Sequence, residues 1–361
     1  MRLRNTALAL AILSSCAPSR QAQRYSRDKV QSSLKKLETP GLVLGEFALA
    51  GKPVIDGDTI RVEGLDSTLR LLAIDCEETL KDEQSRRDVE DDWPKYLKDK
   101  RGEHKHPVKA GTPLGEEAKK FAIHFFEGVR TVRLERDNPK EIRDRYNRYL
   151  AYVFVNRNGK WVNYNVEVVR AGMAPYFTKY SYSRRFHDEF VAAEKEAREA
   201  RRGIWRPGAQ AYQDYAERKA WWDARAEFIK KFERDGQGRD DFIELTNWDS
   251  LSSLEKKLGQ EVTVLGSVSR IILGDRGPTR VMLGRRMFSD FAIVFFDKDV
   301  YASSGVDRYE GEFIRVTGVV NEYKNKYTNR RQLQVIVSLP SQVTGSEIPG
   351  LDKPVQAAAN H

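Results

Sequence analysis

Val54-Ile55-Asp56-Gly57-Asp58-Thr59 and Leu69-Arg70-Leu71-Leu72-Ala73-Ile74-Asp75-Cys76-Glu77-Glu78 are the stretches on which the reading of this 361-residue chain turns. Residues 58–63 and 68–75 are β-prone runs joined by the turn-like Glu63-Gly64-Leu65-Asp66-Ser67. With the apolar run 42–50 ahead of them they form a three-strand meander, which suggests a small barrel. The charges sit at particular places in that pattern. Asp58 stands at the start of one strand, Arg70 lies inside the next among leucines, and Asp75 ends it, with Glu77 and Glu78 following. A buried arginine needs a partner or a ligand, because an unpaired buried charge is very costly. Acids at the ends of adjacent strands can converge, and a hard cation with oxygen ligands, such as Ca²⁺, relieves their repulsion. Turn acids around a salt-bridged arginine fit the same residues, so this cluster alone leaves both readings open.

Working outward, residues 79–114 are dense in charge, contain His104 and His106, and read as a long solvated loop. Residues 115–128 have helical patterning, with Ala118, Phe121, Ala122, Phe125 and Phe126 on one face. Strands are expected at 130–136 and 149–156, and helices at 163–171, stopping at Gly172, and at 183–202, ending near Gly203. The run Asp144-Arg145-Tyr146-Asn147-Arg148 places a second arginine at the start of a strand. Two fixed guanidiniums facing a carboxylate cluster suit a phosphoryl group, whose oxygens they match and whose charge they do not titrate away from.

Four motifs in register, 54–59, 70–78, Gly115-Glu116-Glu117-Ala118 and 144–152, together with Asn165, Gly172-Met173-Ala174 and Gly203-Ile204-Trp205, resemble the staphylococcal nuclease (thermonuclease-like) family over about residues 42–206. That resemblance implies an α+β fold, mainly β: an OB-type five-stranded barrel packed with three helices. It implies one Ca²⁺ held by Asp58, Asp75 and the backbone carbonyl of Cys76. It further implies Glu78 as the general base and Arg70 and Arg148 as phosphate ligands. The reaction it implies is endonucleolytic hydrolysis of DNA and/or RNA that leaves 3′-phosphate ends. Tyr146, Tyr176 and Tyr180 are weaker candidates for stacking on bases, and tyrosines beside a barrel helix serve equally as packing residues.

The chain departs from the family pattern in residues 79–114, much longer than in its compact members, and at three single positions. Cys76 stands where threonine is common, and a backbone carbonyl does not depend on that change. Glu77 replaces a common proline and adds charge and flexibility next to Glu78. Asn147 replaces a glycine, and asparagine tolerates a left-handed backbone better than most residues.

Residues 207–240 are expected to be a helical linker, with a long charged helix at 208–232. Residues 241–345 carry strand-like runs at 260–268, 279–284, 291–296, 312–321 and 332–338, the rhythm of a second OB-like barrel, with a generic β-sandwich as the alternative. Arg270, Arg280, Arg285, Arg286, Lys324, Lys326, Arg330 and Arg331 alternate there with Phe288, Tyr323 and Tyr327. This suits single-stranded nucleic acid; a structural or protein-binding barrel with a basic rim fits equally well.

Composition bounds the rest. A net charge of +9 and a pI near 9.3 favour polyanionic partners, nucleic acid or anionic envelope polymers. At 40% apolar residues the chain has enough for real cores but is not membrane-embedded. Arg2 and Arg4 precede the apolar run Ala7 to Leu13, and Leu13-Ser14-Ser15-Cys16 resembles a bacterial lipobox. Residues 1–16 are therefore expected to be a lipoprotein-type signal with Cys16 lipidated. Residues 17–41 would be a tether and 346–361 a flexible tail. Membrane attachment through Cys16 and a cell-envelope location follow as expectations, with plain secretion as the alternative. Cys76 is then without a disulfide partner, and no protein partner is implied. A non-catalytic nucleic-acid-binding or scaffold lipoprotein keeping the same fold is the competing function.

Overall fold

The computed structural model describes residues 41–284, 290–324 and 331–349. Cys16 and the signal segment, nearly all of the tether, Arg285, Arg286, Phe288, Lys326, Tyr327, Arg330 and most of the tail lie outside them.

Strand β1 (Val43–Asp56) carries register shifts between Leu49 and Val54 and between Val54 and Asp56. Such bulges bend a strand, and the bend lets β1 serve two sides of one sheet. Its first half pairs with β4 (Thr131–Glu135) and its second with β2 (Thr59–Val62). Strand β2 pairs with β3 (Leu69–Leu71), β3 runs parallel to β5 (Tyr149–Arg157), and β5 returns to β4. This closes a five-stranded barrel. The short β6 (Lys160–Asn163) extends β5 through Asn158-Gly159, both at positive φ, the turn that matches strand twist.

The barrel core is aliphatic and aromatic, with Ile60, Leu69, Leu71, Ile74, Val132, Leu134 and Val153 sealed from solvent. Outside it pack three helices, Pro113–Phe125, Tyr164–Arg170 and His187–Glu199. They lie close to the expected 115–128, 163–171 and 183–202.

The 79–114 segment is not a solvated loop. It folds into helices α1 (Glu83–Asp91) and α2 (Trp93–Arg101), each capped by an aspartate side chain at its N-terminus. The three helices named above are α3, α4 and α5 in chain order. Leu80, Val89, Tyr96, Ala110 and Leu114 form a small core of their own with Ala211, Tyr212 and Tyr215. The apolar residues are sparse because this core is shared with a partner more than 100 residues away in sequence. The linker helix α6 spans Tyr215–Asp235 and begins later than the expected residue 208, because residues 209–212 are drawn into that core first.

Beyond it, β7 (Phe242–Glu244) and α7 (Ser250–Lys256) precede strands β8 (Glu261–Ile272), β9 (Thr279–Gly284), β10 (Phe291–Phe295), β11 (Phe313–Lys324) and β12 (Arg331–Ile336). These match the five expected runs. Strand β8 pairs with β9, β9 with β10, β10 in parallel with β12, β12 with β11 and β11 with β8. The order around this second barrel repeats that of the first, including its one parallel pair. Between β10 and β11 lies α8 (Lys298–Ser304), and β13 (Val343–Gly345) adds to the edge of β11.

The second barrel is docked, not merely tethered. Arg225 of α6 and Glu312, just before β11, form an ion pair that is sealed from solvent. Glu312 also accepts from Trp221 Nε1 at 2.8 Å, and His106 Nε2 lies 3.3 Å from it. The His106 ring stacks on Trp221 with centroids 4.3 Å apart. His106, expected in a solvated loop, is thus a packing residue between the 79–114 segment, the linker and the second barrel. On the other side the Trp248 amide donates to Lys140 O at 2.8 Å.

Candidate active site

The β1–β2 turn delivers Asp58 and the middle of β3 delivers Arg70. The β2–β3 register pairs Thr59 with Arg70, so the two charges come from neighbouring positions. Asp58 and Asp75 are both buried, and both grip Arg70: Asp58 through Nη1 and Asp75 through Nη2 at 2.5 Å. The arginine within an apolar strand has thus found two carboxylates. Asp58 is held further by the Cys76 amide at 3.1 Å and the Thr59 hydroxyl at 2.9 Å. Burial alone would raise its pKa, but Arg70 and then Lys109 outweigh it, and the carboxyl titrates below its ordinary range. The same two aspartates hold Arg70 firmly protonated against its burial.

Two glycines let these pieces close together. A Cβ on Gly57 would stand 2.5 Å from Cys76 Sγ, and one on Gly115 would stand 2.1 Å from the Glu78 carbonyl oxygen. The second contact explains a glycine in the first turn of α3: the helix leans directly on the backbone that carries Glu78. Buried Tyr164 and Asn165 brace the same region. Tyr164 donates to Gly57 O at 2.9 Å and Asn165 donates to Leu72 O at 2.8 Å.

Glu78 is one-third exposed, with Oε2 3.0 Å from Lys81 and Oε1 4.0 Å from Lys109. Glu77 points the other way. It is 2% exposed and accepts from the Thr112 hydroxyl, the Tyr212 amide and the Tyr215 hydroxyl. Its expected flexibility is therefore absent: Glu77 is a bolt between the Asp75–Glu78 turn, α3 and the linker. Burial raises its pKa despite those hydrogen bonds. The Cys76 thiol is buried and is pushed up by burial and by Asp58, which makes it a packing group rather than a nucleophile.

Arg148 precedes β5, and since Arg70 pairs with Leu150 in the parallel β3–β5 register, the alternation puts both arginines on one face. Asp144 orients Arg148 through Nε and Nη2, each at 2.7 Å, leaving the guanidinium 31% exposed. Asn147 takes the left-handed backbone expected of it, at φ 67°. Tyr146 is 62% exposed, with the Arg148 guanidinium 5.7 Å from its ring, and Tyr180 is 60% exposed. Both present open aromatic surface. Tyr176 does not: it is 1% exposed, stacks on Phe190 at 4.9 Å and donates to or accepts from His187 at 3.0 Å. Its ring is packing, and its appearance among the stacking candidates is corrected.

The donor set fits a hard cation. It comprises two carboxylates that both turn onto the Arg70 guanidinium, all-oxygen chemistry, and the half-buried Glu78 carboxylate on the turn that carries Asp75. Among the described residues no cluster of three or more His, Cys, Asp or Glu side chains is built to cage a metal. A cation here would rest on Asp58, Asp75 and the Cys76 carbonyl, with water or phosphate oxygens completing its shell.

Three charged groups were not foreseen from sequence. Lys109 Nζ lies 2.6 Å from Asp75 Oδ1. Asp56, with its carboxylate beside the Asp58 amide at 3.2 Å, is raised to about 7 by burial and by Asp58. Lys179 sits with Nζ 4.0 Å over the Trp221 ring and is lowered to about 8 by burial and by Arg225. Asp56 was visible inside the 54–59 motif; nothing in the local pattern around Lys109 or Lys179 signals their destination. On the second barrel Arg270, Arg280, Tyr323, Lys324 and Arg331 are exposed as expected of a basic rim. The Arg145 guanidinium of the Arg148 turn approaches Gly284 of β9, 3.9 Å from where a Cβ there would stand.

Residues 68–207 match a family model described as Staphylococcal nuclease homologue. The chain is 31% identical over 157 residues to the thermonuclease of Staphylococcus hyicus, spanning 42% of this chain and 72% of that protein. It is 31% identical over 165 residues to the thermonuclease of Staphylococcus intermedius, spanning 45% and 78%. To endonuclease YncB of Bacillus subtilis (strain 168) it is 30% identical over 153 residues, spanning 42% and 58%.

Proposed function

The chain belongs to the staphylococcal nuclease family, a family of nucleases, and from that premise we propose that it is an exported endonuclease hydrolysing DNA or RNA with a calcium ion. The observation that carries this reading is the convergence of Asp58 and Asp75 on Arg70, with the partly exposed Glu78 beside them and Arg148 on the same face. A nucleic-acid-binding scaffold needs arginines but has no use for a solvent-facing carboxylate next to two buried ones.

Calcium, when held by Asp58, Asp75 and the Cys76 carbonyl, would supply positive charge to a phosphate oxygen and acidify a bound water. The chain's own residues do the rest. Glu78, half-buried, with Lys81 on Oε2 and Lys109 4.0 Å from Oε1, orients a water and takes its proton as oxygen attacks phosphorus. Arg148, held at Nε and Nη2 by Asp144, turns its remaining donors to the phosphate. Positive charge is thereby present where negative charge grows in the five-coordinate transition state. The P–O5′ bond breaks, the 5′-oxygen leaves taking a proton from solvent water, and the phosphate stays on the 3′ side. Tyr146 and Tyr180 offer exposed rings to flanking bases.

The test is cleavage of single- and double-stranded DNA and of RNA with calcium or with chelator, using wild type and Glu78→Gln. The expected results are calcium-dependent cleavage, 3′-phosphate ends on the products, and a loss on the order of 10²–10⁴-fold in the variant. Absence of calcium-dependent cleavage at every pH sinks the proposal; an undiminished Glu78→Gln removes only the base assignment. Export and lipid attachment rest on residues 1–16. Cys16→Ser is expected to release the protein from the membrane fraction, and an unchanged fraction refutes the anchor.

A further inference from the structure

We infer that Lys109 is a tethered cation that holds Asp75 when no metal is bound and competes with the divalent ion for that carboxylate; this deepens the metal-dependent reading above and rests on it. Lys109 Nζ is 2.6 Å from Asp75 Oδ1 and 4.0 Å from Glu78 Oε1. With Arg70 it sets two positive charges against the two carboxylates of Asp58 and Asp75. The pair of acids is therefore neutralised before any metal arrives. A divalent ion entering that arrangement meets two cations within contact range, and like charges at such distances repel strongly in a partly buried site.

One of the two cations must yield, and the structure distinguishes them. Arg70 is embedded in β3 with its side chain 12% exposed, and both acids hold its planar fork. Lys109 has a side chain 48% exposed, on a flexible four-carbon stem that can swing outward without disturbing a strand. Lys109 is thus the displaceable cation.

Its backbone, by contrast, is clamped. Val108 O accepts from Arg218 Nη2 at 2.6 Å. Ala110 N donates to the Tyr212 hydroxyl at 2.8 Å, and that hydroxyl donates back to Ala110 O at 2.7 Å. Gly111 O accepts from the Tyr96 hydroxyl at 2.7 Å. The clamps come from the inserted helix α2 and from the segment that begins the linker, not from the nuclease barrel. The parts that extend this chain beyond the compact barrel therefore set how readily its site takes a metal. A lysine that had merely strayed onto an acid would not be fixed at the residues before and after it by three side chains.

The experiment is calorimetric titration of chelator-stripped full chain with calcium at fixed ionic strength and without nucleic acid, for wild type, Lys109→Met and Lys109→Arg. Lys109→Met is expected to bind calcium about tenfold more tightly, the size of effect that follows from removing one partly exposed opposing charge. Lys109→Arg keeps the charge and is expected to stay within about twofold of wild type, which a purely structural role for the lysine would not produce. Circular dichroism and the unfolding midpoint establish that both variants fold. Equal or weaker calcium affinity in Lys109→Met, with wild type binding normally, overturns this inference and leaves the metal-dependent reading standing. Calcium that binds neither wild type nor Lys109→Met overturns both.

Discussion

A methyl group added at Gly115 tests how the barrel holds Glu78. On a helix the change from glycine to alanine ordinarily stabilises by about 1 kcal/mol. Here the new Cβ would stand 2.1 Å from the Glu78 carbonyl oxygen, 2.5 Å from its carbon and 2.8 Å from the Glu77 oxygen. Carbon–oxygen contacts settle at roughly 3.3–3.6 Å, so helix and turn must part by about 1.2 Å. The obstructing atoms are all backbone, and no side-chain rotation relieves them. Overpacking of this kind costs about 1–3 kcal/mol and outweighs or cancels the propensity gain. Catalysis is the more sensitive reporter, because a 1 Å displacement of an acting group costs on the order of 100-fold. Gly115→Ala is therefore expected to lose about two orders of magnitude in kcat with a stability loss of at most ~2 kcal/mol. Single-turnover cleavage and urea unfolding measure the two. Gly51→Ala, whose added Cβ meets open space, is the control. Wild-type kcat in Gly115→Ala would refute the argument that helix α3 positions Glu78 by direct contact.

Arg225→Met strands the buried Glu312 carboxylate and is expected to cost about 3–5 kcal/mol, read as an early unfolding transition by calorimetry; an unchanged transition would mean the docking does not depend on that pair. Glu77→Ala leaves the Thr112 hydroxyl, the Tyr212 amide and the Tyr215 hydroxyl without their acceptor, and is expected to lose about 3 kcal/mol in urea unfolding. Glu141 lies at the junction of the two barrels, where burial and then Glu244, with Asp137 and Glu233, raise it to about 8 against the pull of Arg184. A raised acid keeps its proton in the folded chain after the unfolded chain has lost it, so its contribution is complete below the ordinary 4.5 and is lost as pH rises towards about 8. Glu141→Gln is expected to gain ~3 kcal/mol over wild type between pH 6 and pH 8, at about 1.4 kcal/mol per pH unit, and parallel urea midpoints for the two proteins would refute it.

Much of the molecule is legible in local sequence. Alternating apolar residues in 42–50, 58–63 and 68–75, and again in the five runs beyond residue 260, predict the strands of both barrels. Strand formation depends on neighbours two residues apart, which a linear reading sees. The Asp58, Arg70, Asp75, Glu78 and Arg148 set is legible for a similar reason. Each charge sits at a strand end or within an apolar strand, where its presence is already anomalous. What stays hidden is whatever depends on partners distant in the chain. Residues 79–114 read as a loop because Leu80, Val89 and Tyr96 are too few for a core of their own, and Tyr212 and Tyr215 complete it. Glu77 reads as a loose extra charge until its three donors arrive from α3 and the linker. Tyr176 and Tyr180 are four residues apart and of one chemistry, yet packing against Phe190 buries the first and leaves the second open.

By itself, then, the sequence pointed to two small barrels and placed anomalous charges on the first, because strand periodicity is a local property; only the resemblance of four motifs in register to a nuclease family gave those charges roles. Only the tertiary structure decided that the second barrel is docked on the linker helix and the 79–114 segment through Glu312, that Glu77 is a bolt, and that Lys109 occupies Asp75. Each of those is a buried or half-buried charge, and where such a charge settles is governed by which opposite charge or hydrogen-bond donor the fold brings within about 3 Å.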